Sequence, residues 1–518
     1  MGDHLTHEVP RPPRHHWSTE ITSSALAQYS LLDEEPFGHT TRPGSGLGGL
    51  NRRPAVLIAA LVATVALVVA LRDARVVLYD DAAITLRYAW RIAHGGGFTY
   101  NPGDRTDGAS APLYTLVLAL ISYLGGGLIG AAKIICIVSF TATTAFVSYL
   151  AGRMAGFVAG IVAPILLLSS LDFRINALSG MESALAAALS LAALVALYED
   201  QIPLCGLLLG LDLFNKLDAG TLVVAVCVAY VLFTRRMPWR LLAWCAAGIV
   251  PWLIFAQVYF GSVVPNSARV KASILSKGTT IDHAWMLNAI RADHGTWILV
   301  FAIACVPIAL YRRNRLEMIV TVSLLGYFAL ELVAFSFVNL GAPYPWYMTV
   351  LYPPIACAAG LSVGWTVEGS VRRVKRSMPP SFVGVVLAAA IGLGLLYSTS
   401  SGLRSTAHVV AHGHTVDAYE AFEATRRDSG YYLNRVTRPG QVVATCFGWP
   451  AFLDEKAIIK ETCPLSTRLP VGRPLWGTYG SFPALTQPFA PPGDKVVWSQ
   501  ASKLGGNSWV WRVRDGFR

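Results

Sequence analysis

The sequence predicts a mostly α-helical, polytopic membrane protein with a soluble domain near its C-terminal end. Hydrophobic residues make up 54% of the 518 positions and charged residues only 14%, whereas a soluble protein carries about 25% charge. The mean hydropathy of +0.48 points the same way. The net charge of +11 comes largely from arginine and lysine clusters beside apolar runs, a pattern that orients membrane helices. We therefore expect the lipid bilayer, and no nucleic acid, as a partner.

The first element is a tail, residues 1–51, which we expect to be disordered and cytoplasmic. It contains Pro10, Pro12 and Pro13, several histidines and a glycine-rich stretch before the first apolar run begins at Pro54. A segment of this composition has too little apolar surface to form a packed core.

The second element, residues 52–399, is a transmembrane module with twelve apolar runs. The runs lie at about 54–71, 112–129, 131–150, 155–171, 177–198, 202–215, 218–234, 241–260, 297–311, 317–338, 346–366 and 381–398. Arg52 and Arg53 place the tail in the cytoplasm, and the basic residues at 372–376 place the approach to the last run there too. The count is then odd, about eleven, and one short run among 112–129, 202–215 and 218–234 is incomplete.

Two long loops, at about 72–111 and 261–296, are predicted to lie on the outer side with a soluble domain at 400–518. Within that domain, residues 441–444, 495–498 and 509–513 have the pattern of β-strands. Sixteen residues separate Cys446 from Cys463, which suits an extracytoplasmic disulfide. Several tryptophans there can either stack on sugar rings or fill an ordinary β-domain core: Trp449, Trp476, Trp498, Trp509 and Trp511.

The strongest functional signal is the pair Asp80 and Asp81, directly after the first apolar run. Carboxylates so close to a bilayer are costly and usually functional. Residues 80–94 can form one amphipathic helix, with Arg87 and Arg91 on the face of Asp80. Helix capping by Asp81 is the plain alternative, but it explains neither the doublet nor the glycine-rich loop that follows at 95–97.

Further polar residues lie at breaks or edges of later apolar runs. They are Glu182, Lys216, Asp218, Asn266, Arg269, Lys271, Tyr344 and Trp346. Each has an ordinary explanation, such as a helix cap, an ion pair or an interfacial aromatic belt. Together they offer carboxylates, cations for phosphate and aromatic surfaces for sugars.

These residues resemble the GT-C superfamily of integral-membrane glycosyltransferases, and most closely the bacterial branch with the mycobacterial terminal arabinofuranosyltransferases. The likeness is carried by residues 80–89 (DDAAITLRYA), 95–105 (GGGFTYNPGDR), 107–113 (DGASAPL), 180–182 (GME), 216–220 (KLDAG) and 259–271. Lys216 and Leu217 stand where the family's pattern has Arg-Pro.

The resemblance implies an inverting transfer of a sugar from a polyprenyl-phosphate donor to a cell-envelope glycan or glycoconjugate acceptor. Asp80 or Asp81, with Asp80 favoured, is then the general base. Donor phosphate would be bound by Arg87, Arg91, Lys216, Arg269 and Lys271, and substrate by Tyr88, Asn101, Glu182, Asp218, Asn266, Tyr344 and Trp346. Asp80 and Asp81 can also hold a divalent metal, Mg²⁺ or Mn²⁺.

The resemblance further implies a multi-pass protein of a bacterial plasma membrane that acts in cell-wall biogenesis, with arabinofuranose as the expected sugar and a hexose as the other option. A transporter or flippase is the main rival, because it also combines many spans with broken helices and intramembrane charges. It would not need a long outer loop with paired carboxylates or a soluble outer domain. A non-catalytic assembly protein is the third option.

Overall fold

The computed structural model describes residues 49–74, 78–269, 285–294, 296–338, 345–377, 427–428, 430–445, 448–461, 476–480, 495–501 and 508–513. The predicted tail, apart from its last residues, and the predicted last span at 381–398 lie outside these ranges.

The described chain is mainly helical, as the sequence predicts. The helices up to the long central one are α1 (Arg52–Asp73), α2 (Asp80–Ala93), α3 (Pro112–Tyr123) and α4 (Leu128–Ser169). Those that follow are α5 (Leu171–Ala177), α6 (Ser183–Tyr198), α7 (Ile202–Asn215), α8 (Gly220–Thr234), α9 (Trp239–Phe260), α10 (Trp285–His294), α11 (Trp297–Arg312), α12 (Arg315–Val338) and α13 (Met348–Ser377).

Six helices in the described residues are long and apolar enough to cross a membrane. They are Arg52–Asp73, Leu128–Ser169, Leu217–Thr234, Trp239–Phe260, Arg315–Phe335 and Met348–Val371. Four apolar helices are shorter: Pro112–Tyr123, Ser183–Tyr198, Ile202–Asn215 and Trp297–Arg312. The multi-pass helical fold is thus confirmed, and two of the three runs suspected of being incomplete, 112–129 and 202–215, form helices of only 12 and 14 residues.

Two predicted runs, 131–150 and 155–171, form the two halves of α4. The halves meet at a kink where Ala155 and Gly156 have non-helical dihedral angles. This helix packs against α1, α6 and α13. Ala151, Ala159 and Ala163 on α4 are fully buried. Such small residues let membrane helices approach closely, where lipid supplies no hydrophobic drive to associate.

The chain breaks between α7 and α8. Lys216 is in an extended conformation, and a single 3₁₀ turn, Leu217–Ala219, leads into α8. The sequence predicts this break because lysine, aspartate and glycine interrupt two apolar runs. Broken helices in a membrane protein are tolerated where protein or a cavity surrounds the free backbone groups.

The C-terminal part contains a five-stranded mixed sheet. Its strands are β1 (Val442–Thr445), β2 (Ile458–Glu461), β3 (Trp476–Gly480), β4 (Lys495–Ala501) and β5 (Ser508–Val513), in the order β2-β1-β3-β5-β4. β1 pairs in parallel with β2 and β3, and β5 pairs antiparallel with β3 and β4. All three predicted strands are present. A short helix, α14 (Trp449–Leu453), connects β1 to β2 and lies against α2.

Candidate active site

The acidic pair begins helix α2. Tyr79 is the residue before the helix, and Asp80 and Asp81 form its first turn, where negative charge is favourable to the helix dipole. Asp80 is 4% exposed, and its Oδ1 accepts a hydrogen bond of 2.8 Å from the backbone N–H of Trp449. Asp81 is half-buried. The predicted helix over 80–94 is confirmed, ending at Ala93.

Tyr79 connects the acidic pair to two other segments of the protein. Its backbone N–H donates to the carbonyl of Ser179 over 2.9 Å, and its hydroxyl donates to Asn176 Oδ1 over 2.7 Å. Its ring lies 5.9 Å from the ring of Trp346. The predicted substrate residue Trp346 therefore lies beside the residue that precedes Asp80.

Lys216 is the centre of a buried ion cluster. Its Nζ lies 3.2 Å from Asp218 Oδ2 and 3.9 Å from Glu182 Oε1. The same nitrogen lies 4.8 Å from the ring centre of Tyr347, which is a cation–π contact. The structure thus brings together Glu182, Lys216 and Asp218, which the sequence predicted separately.

The cluster is connected to the acidic pair through Tyr79, the residue before Asp80. Glu182 is the residue before α6, and it follows the loop whose Ser179 carbonyl accepts a hydrogen bond from the Tyr79 N–H. Trp346 and Tyr347 form an edge-to-face pair with centres 6.0 Å apart. A continuous path of aromatic contacts therefore leads from Tyr79 through Trp346 and Tyr347 to Lys216.

Arg87 is directed at the C-terminal part of the chain. It is 3% exposed, and it donates to the carbonyls of Tyr100 (2.9 Å), Asp454 (3.1 Å) and Ala457 (3.2 Å). Its guanidinium also lies 4.9 Å from the ring centre of Tyr100. In this structure the side chain links α2 to the segment after α14.

Arg91 lies one turn further along α2 and is half-buried. Its Nε donates to Thr99 Oγ1 over 2.9 Å, and its Nη2 to the Gly96 carbonyl over 3.4 Å. Burial and the nearby positive charge of Arg87 lower the pKa of Arg91. An anion bound here would relieve both effects, so this environment suits phosphate.

The remaining predicted residues of the outer loops hold those loops together. The Tyr88 hydroxyl donates to the Thr106 carbonyl over 2.7 Å and accepts from the Gly108 N–H over 3.0 Å. The Asn266 N–H donates to the Asp107 carbonyl over 2.7 Å, which joins the second outer loop to the first.

Asn101 and Arg269 complete this group. Asn101 is buried, with its Oδ1 3.5 Å from Arg87 Nη2. Arg269 is exposed, and its Nη2 donates to Ser262 Oγ. The structure therefore places Tyr88, Asn101 and Asn266 inside the folded loops, while Arg269 reaches the surface.

Some predicted residues lie outside the described ranges. They are Lys271, Tyr344, Cys446 and Cys463, so the predicted disulfide stays a prediction. Six other cysteines lie in the described ranges and form no disulfide there, and five of them are buried: Cys136, Cys205, Cys245, Cys305 and Cys357.

The divalent metal proposed for Asp80 and Asp81 would have few protein ligands. Among the described residues, no three His, Cys, Asp or Glu side chains are arranged to hold an ion. Two adjacent carboxylates alone would leave most coordination positions to water and substrate oxygens. These donors do not by themselves form a protein-built metal site.

Sequence reasoning missed several parts of the site. Asn176 carries no motif of its own. The contact of Trp449 with Asp80 uses a backbone N–H, which leaves no signature in side-chain identity. Trp449 itself is 1% exposed and packs with residues of α2 and α3, so this tryptophan is a core residue, in a core that it shares with these two helices.

Solved structures similar to this chain were found, whereas no family model and no curated protein matches its sequence. The apo structure of ArnT from Cupriavidus metallidurans aligns with a TM-score of 0.57 and 15% identity, over 88% of this chain and 97% of that chain. ArnT bound to undecaprenyl phosphate aligns at 0.52 and 15%, over 79% and 85%. At this identity the likeness shows the fold alone, and it confirms the polytopic helical fold expected from the resemblance.

A third similar structure is the arabinofuranosyltransferase AftD from Mycobacteria. It aligns with a TM-score of 0.44 and 15% identity, over 80% of this chain and 32% of that chain. A score this low carries no argument about the branch or the sugar.

Proposed function

We propose that this protein is a membrane glycosyltransferase that moves a sugar from a polyprenyl-phosphate donor to a cell-envelope glycan or glycoconjugate acceptor. The observation that carries the proposal is the connection of the acidic pair to the buried Lys216 cluster, through Tyr79 and the rings of Trp346 and Tyr347. A fold shared with ArnT, one structure of which holds undecaprenyl phosphate, supports a lipid-phosphate donor.

In the proposed reaction, Asp80 or Asp81 takes the proton from an acceptor hydroxyl. The hydroxyl oxygen then bonds to the anomeric carbon from the face opposite the phosphate, and the bond from that carbon to the phosphate oxygen breaks. Configuration at the anomeric carbon is inverted, and the phosphate leaves as polyprenyl phosphate. The proton passes from the carboxyl group to solvent or to the departing phosphate.

The cations would stabilise the negative charge that develops on the leaving phosphate. Arg91 is suited to this role because, in the described part of the chain, it donates to Thr99 and Gly96 and not to a carboxylate. Lys216 is held by Asp218 and Glu182, so it would contribute charge from a fixed position. Arg269 is exposed and can approach a ligand from the loop side.

The test is release of polyprenyl phosphate by the purified protein in nanodiscs, with a panel of lipid-linked pentoses and hexoses and a range of acceptors. The Asp80→Asn and Asp81→Asn variants, single and combined, are assayed beside it. Asp200→Asn is the matched control, because Asp200 is exposed at the turn after α6, about 24 Å along that helix from Glu182. Each variant's fold is checked by thermal unfolding.

We expect turnover that depends on the sugar and that is kept in Asp200→Asn. Removal of the base should lower this turnover by at least about 100-fold, the lower end of the range for general acid–base catalysis. The donor that gives the highest turnover identifies the sugar, and we expect arabinofuranose. The single variant that loses turnover identifies the base. If the folded protein releases no polyprenyl phosphate from any donor, the proposal fails and transport becomes the better explanation.

A further inference from the structure

Helix α14 of the C-terminal part is packed directly onto helix α2. The Trp449 side chain lies in an apolar cluster with Ala83 and Leu86 of α2 and Leu118 of α3. Phe452 and Leu453 pack at the edge of the same cluster. The contact is therefore part of the hydrophobic core of this region.

Two charged residues of α2 bind the two ends of this segment. Asp80 accepts the N–H of Trp449 at the start of α14, and Arg87 donates to the carbonyls of Asp454 and Ala457 after its end. Asp80 and Arg87 are seven residues apart, about 10 Å along a helix. These two hydrogen-bonding side chains therefore fix both ends of the segment to α2.

Gly448 makes the approach to Asp80 possible. Its φ is +100°, in a region that other residues rarely adopt. A Cβ atom at this position would overlap the carboxylate group of Asp80. Two separate constraints, the dihedral angle and the space, therefore require glycine here.

We propose that Gly448 and the backbone N–H of Trp449 position the Asp80 carboxylate for reaction, so that the C-terminal part is a working component of the active site. This inference rests on the proposed function, with Asp80 as the general base. Gly448 and the backbone N–H of Trp449 are positioning groups, since they act on the substrate only through Asp80; the Trp449 side chain has no such role.

The hydrogen bond has a predictable effect on the chemistry. A donor to a carboxylate stabilises the ionised form. If the donor is displaced, Asp80 holds its proton more tightly and stays protonated to higher pH. Because a general base must be ionised, the acidic limb of the pH–rate profile then moves to higher pH.

The main test compares Gly448→Ala with Gly440→Ala. Gly440 has a similar φ of +81°, but a Cβ there would meet no atom within 4 Å, so this control carries the dihedral strain without the overlap. For Gly448→Ala we expect the acidic limb of kcat to shift upward by about one pH unit, since a hydrogen bond to a charged group is of that order. The KM for the lipid donor should change little.

A second control separates the N–H from the indole. Trp449→Phe removes part of the buried side chain but keeps the backbone donor. It should lower the melting temperature and leave the pH–rate limb where it is in the unaltered protein. A limb that moves as far in Trp449→Phe as in Gly448→Ala would overturn the assignment to the N–H.

Thermal stability gives a readout that does not depend on turnover. Gly448→Ala should lower the melting temperature by several degrees in the presence of Asp80, and by much less in an Asp80→Ala background, where the methyl group has room. Contacting residues show such coupling, and distant ones do not. If Gly448→Ala folds only when Asp80 is also replaced, the coupling is shown in its strongest form.

The outcomes separate the two proposals. Additive changes in melting temperature, or coupling without any shift of the pH–rate limb, would overturn the positioning role while the unaltered protein still turns over. Failure of the proposed function is seen in the unaltered protein itself, which would release no polyprenyl phosphate whatever the variants do.

Discussion

Lys216 is the residue whose surroundings most restrict what it can do. Two carboxylates, Asp218 and Glu182, lie within 4 Å of its ammonium group, and aromatic rings of Phe335 and Tyr347 lie at 5.7 and 4.8 Å. A buried charge is tolerated when it is paired. Removing the cation would deprive two carboxylates of their shared counter-charge, and the side chain of one of them, Glu182, is only 5% exposed.

We predict that Lys216→Met lowers both turnover and stability, with a loss of about 3–5 kcal/mol in the free energy of unfolding, the cost of breaking a buried ion pair. The double variant Lys216→Met/Asp218→Asn should regain part of that stability, because less charge is left unpaired. It should not regain turnover if Lys216 stabilises the leaving phosphate. Thermal unfolding and polyprenyl phosphate release check the two effects separately.

A Lys216→Met protein that is as stable as the unaltered one would show that the ion cluster does not exist in the folded protein. Full turnover in the double variant would remove Lys216 from the phosphate-binding residues while leaving its structural role intact.

How much of the site could be predicted at this scale depends on the kind of contact. Asp80, Glu182, Lys216 and Asp218 could be predicted because ionisable side chains are conspicuous among apolar residues. The hydrogen bond from Trp449 to Asp80 spans 369 positions and uses the backbone, so no spacing or residue type announces it. Arg87 was predicted to bind phosphate, which stays a prediction, but its bonds to Asp454 and Ala457 were not foreseen for the same reason.

At the scale of the elements, helices α5 and α10 bring two carboxylates together beside the membrane module. Asp293 on α10 accepts the N–H of Leu171 through Oδ1 over 3.3 Å. Burial and the carboxylate of Asp293 raise the pKa of Asp172 to about 7, while a hydrogen bond with Tyr352 acts in the opposite direction. Arg174 of the same helix is paired with Asp73 at 3.0 Å.

The pKa of Asp172 makes stability depend on pH. Between about pH 4 and 7 the folded protein keeps a proton on Asp172 that the unfolded chain has lost, so stability falls as pH rises through this range, by up to about 1.4 kcal/mol per pH unit. We predict that the difference in melting temperature between Asp172→Asn and the unaltered protein shifts in favour of the variant as the pH is raised from 5.5 to 8.

Differential scanning fluorimetry across this range, with Asp200→Asn as the exposed control, measures the difference. Parallel curves for Asp172→Asn and the unaltered protein would show that this carboxyl titrates normally. Helix α5 matters for the site because its Asn176 accepts a hydrogen bond from the hydroxyl of Tyr79, the residue before Asp80.

Element boundaries were predictable where the hydrophobic pattern was long and interrupted by charge. The break at Lys216 and the helix from Asp80 followed from that pattern. The lengths of α3 and α7 did not, because a short apolar helix and an incomplete span look alike in sequence. Pairing of β1 with β3 connects residues more than 30 positions apart, and such register is set by tertiary contacts that the strand pattern alone does not contain.

At the scale of the whole molecule, the contact between Asp80 and Trp449 restricts the topology. The first outer loop and the C-terminal part must lie on the same side of the membrane. The chain between them therefore crosses an even number of times, and the total including α1 is odd. This parity agrees with the prediction of about eleven spans and disagrees with twelve full spans. The charge pattern and the contact are independent observations, and both lead to an odd number of spans.

The absolute orientation follows from the basic clusters and can be tested by cysteine labelling of intact cells. Ser110 is exposed in the first outer loop, and Met237 is 46% exposed in the turn beside Arg235 and Arg236. If arginines mark the cytoplasmic side, a membrane-impermeant maleimide should label Ser110→Cys in intact cells and Met237→Cys only after permeabilisation. The unaltered protein, with its native cysteines, supplies the background.

The reverse labelling would put Asp80 and Asp81 on the cytoplasmic side. A polyprenyl-linked donor and its acceptor would then have to be supplied on that face. A third site, Gly440, is exposed in the C-terminal part and tests the parity of the crossings. The packing of α14 on α2 requires an even number of crossings between the first outer loop and this part, so Gly440→Cys and Ser110→Cys should be labelled alike. Different labelling of these two sites would contradict that even number.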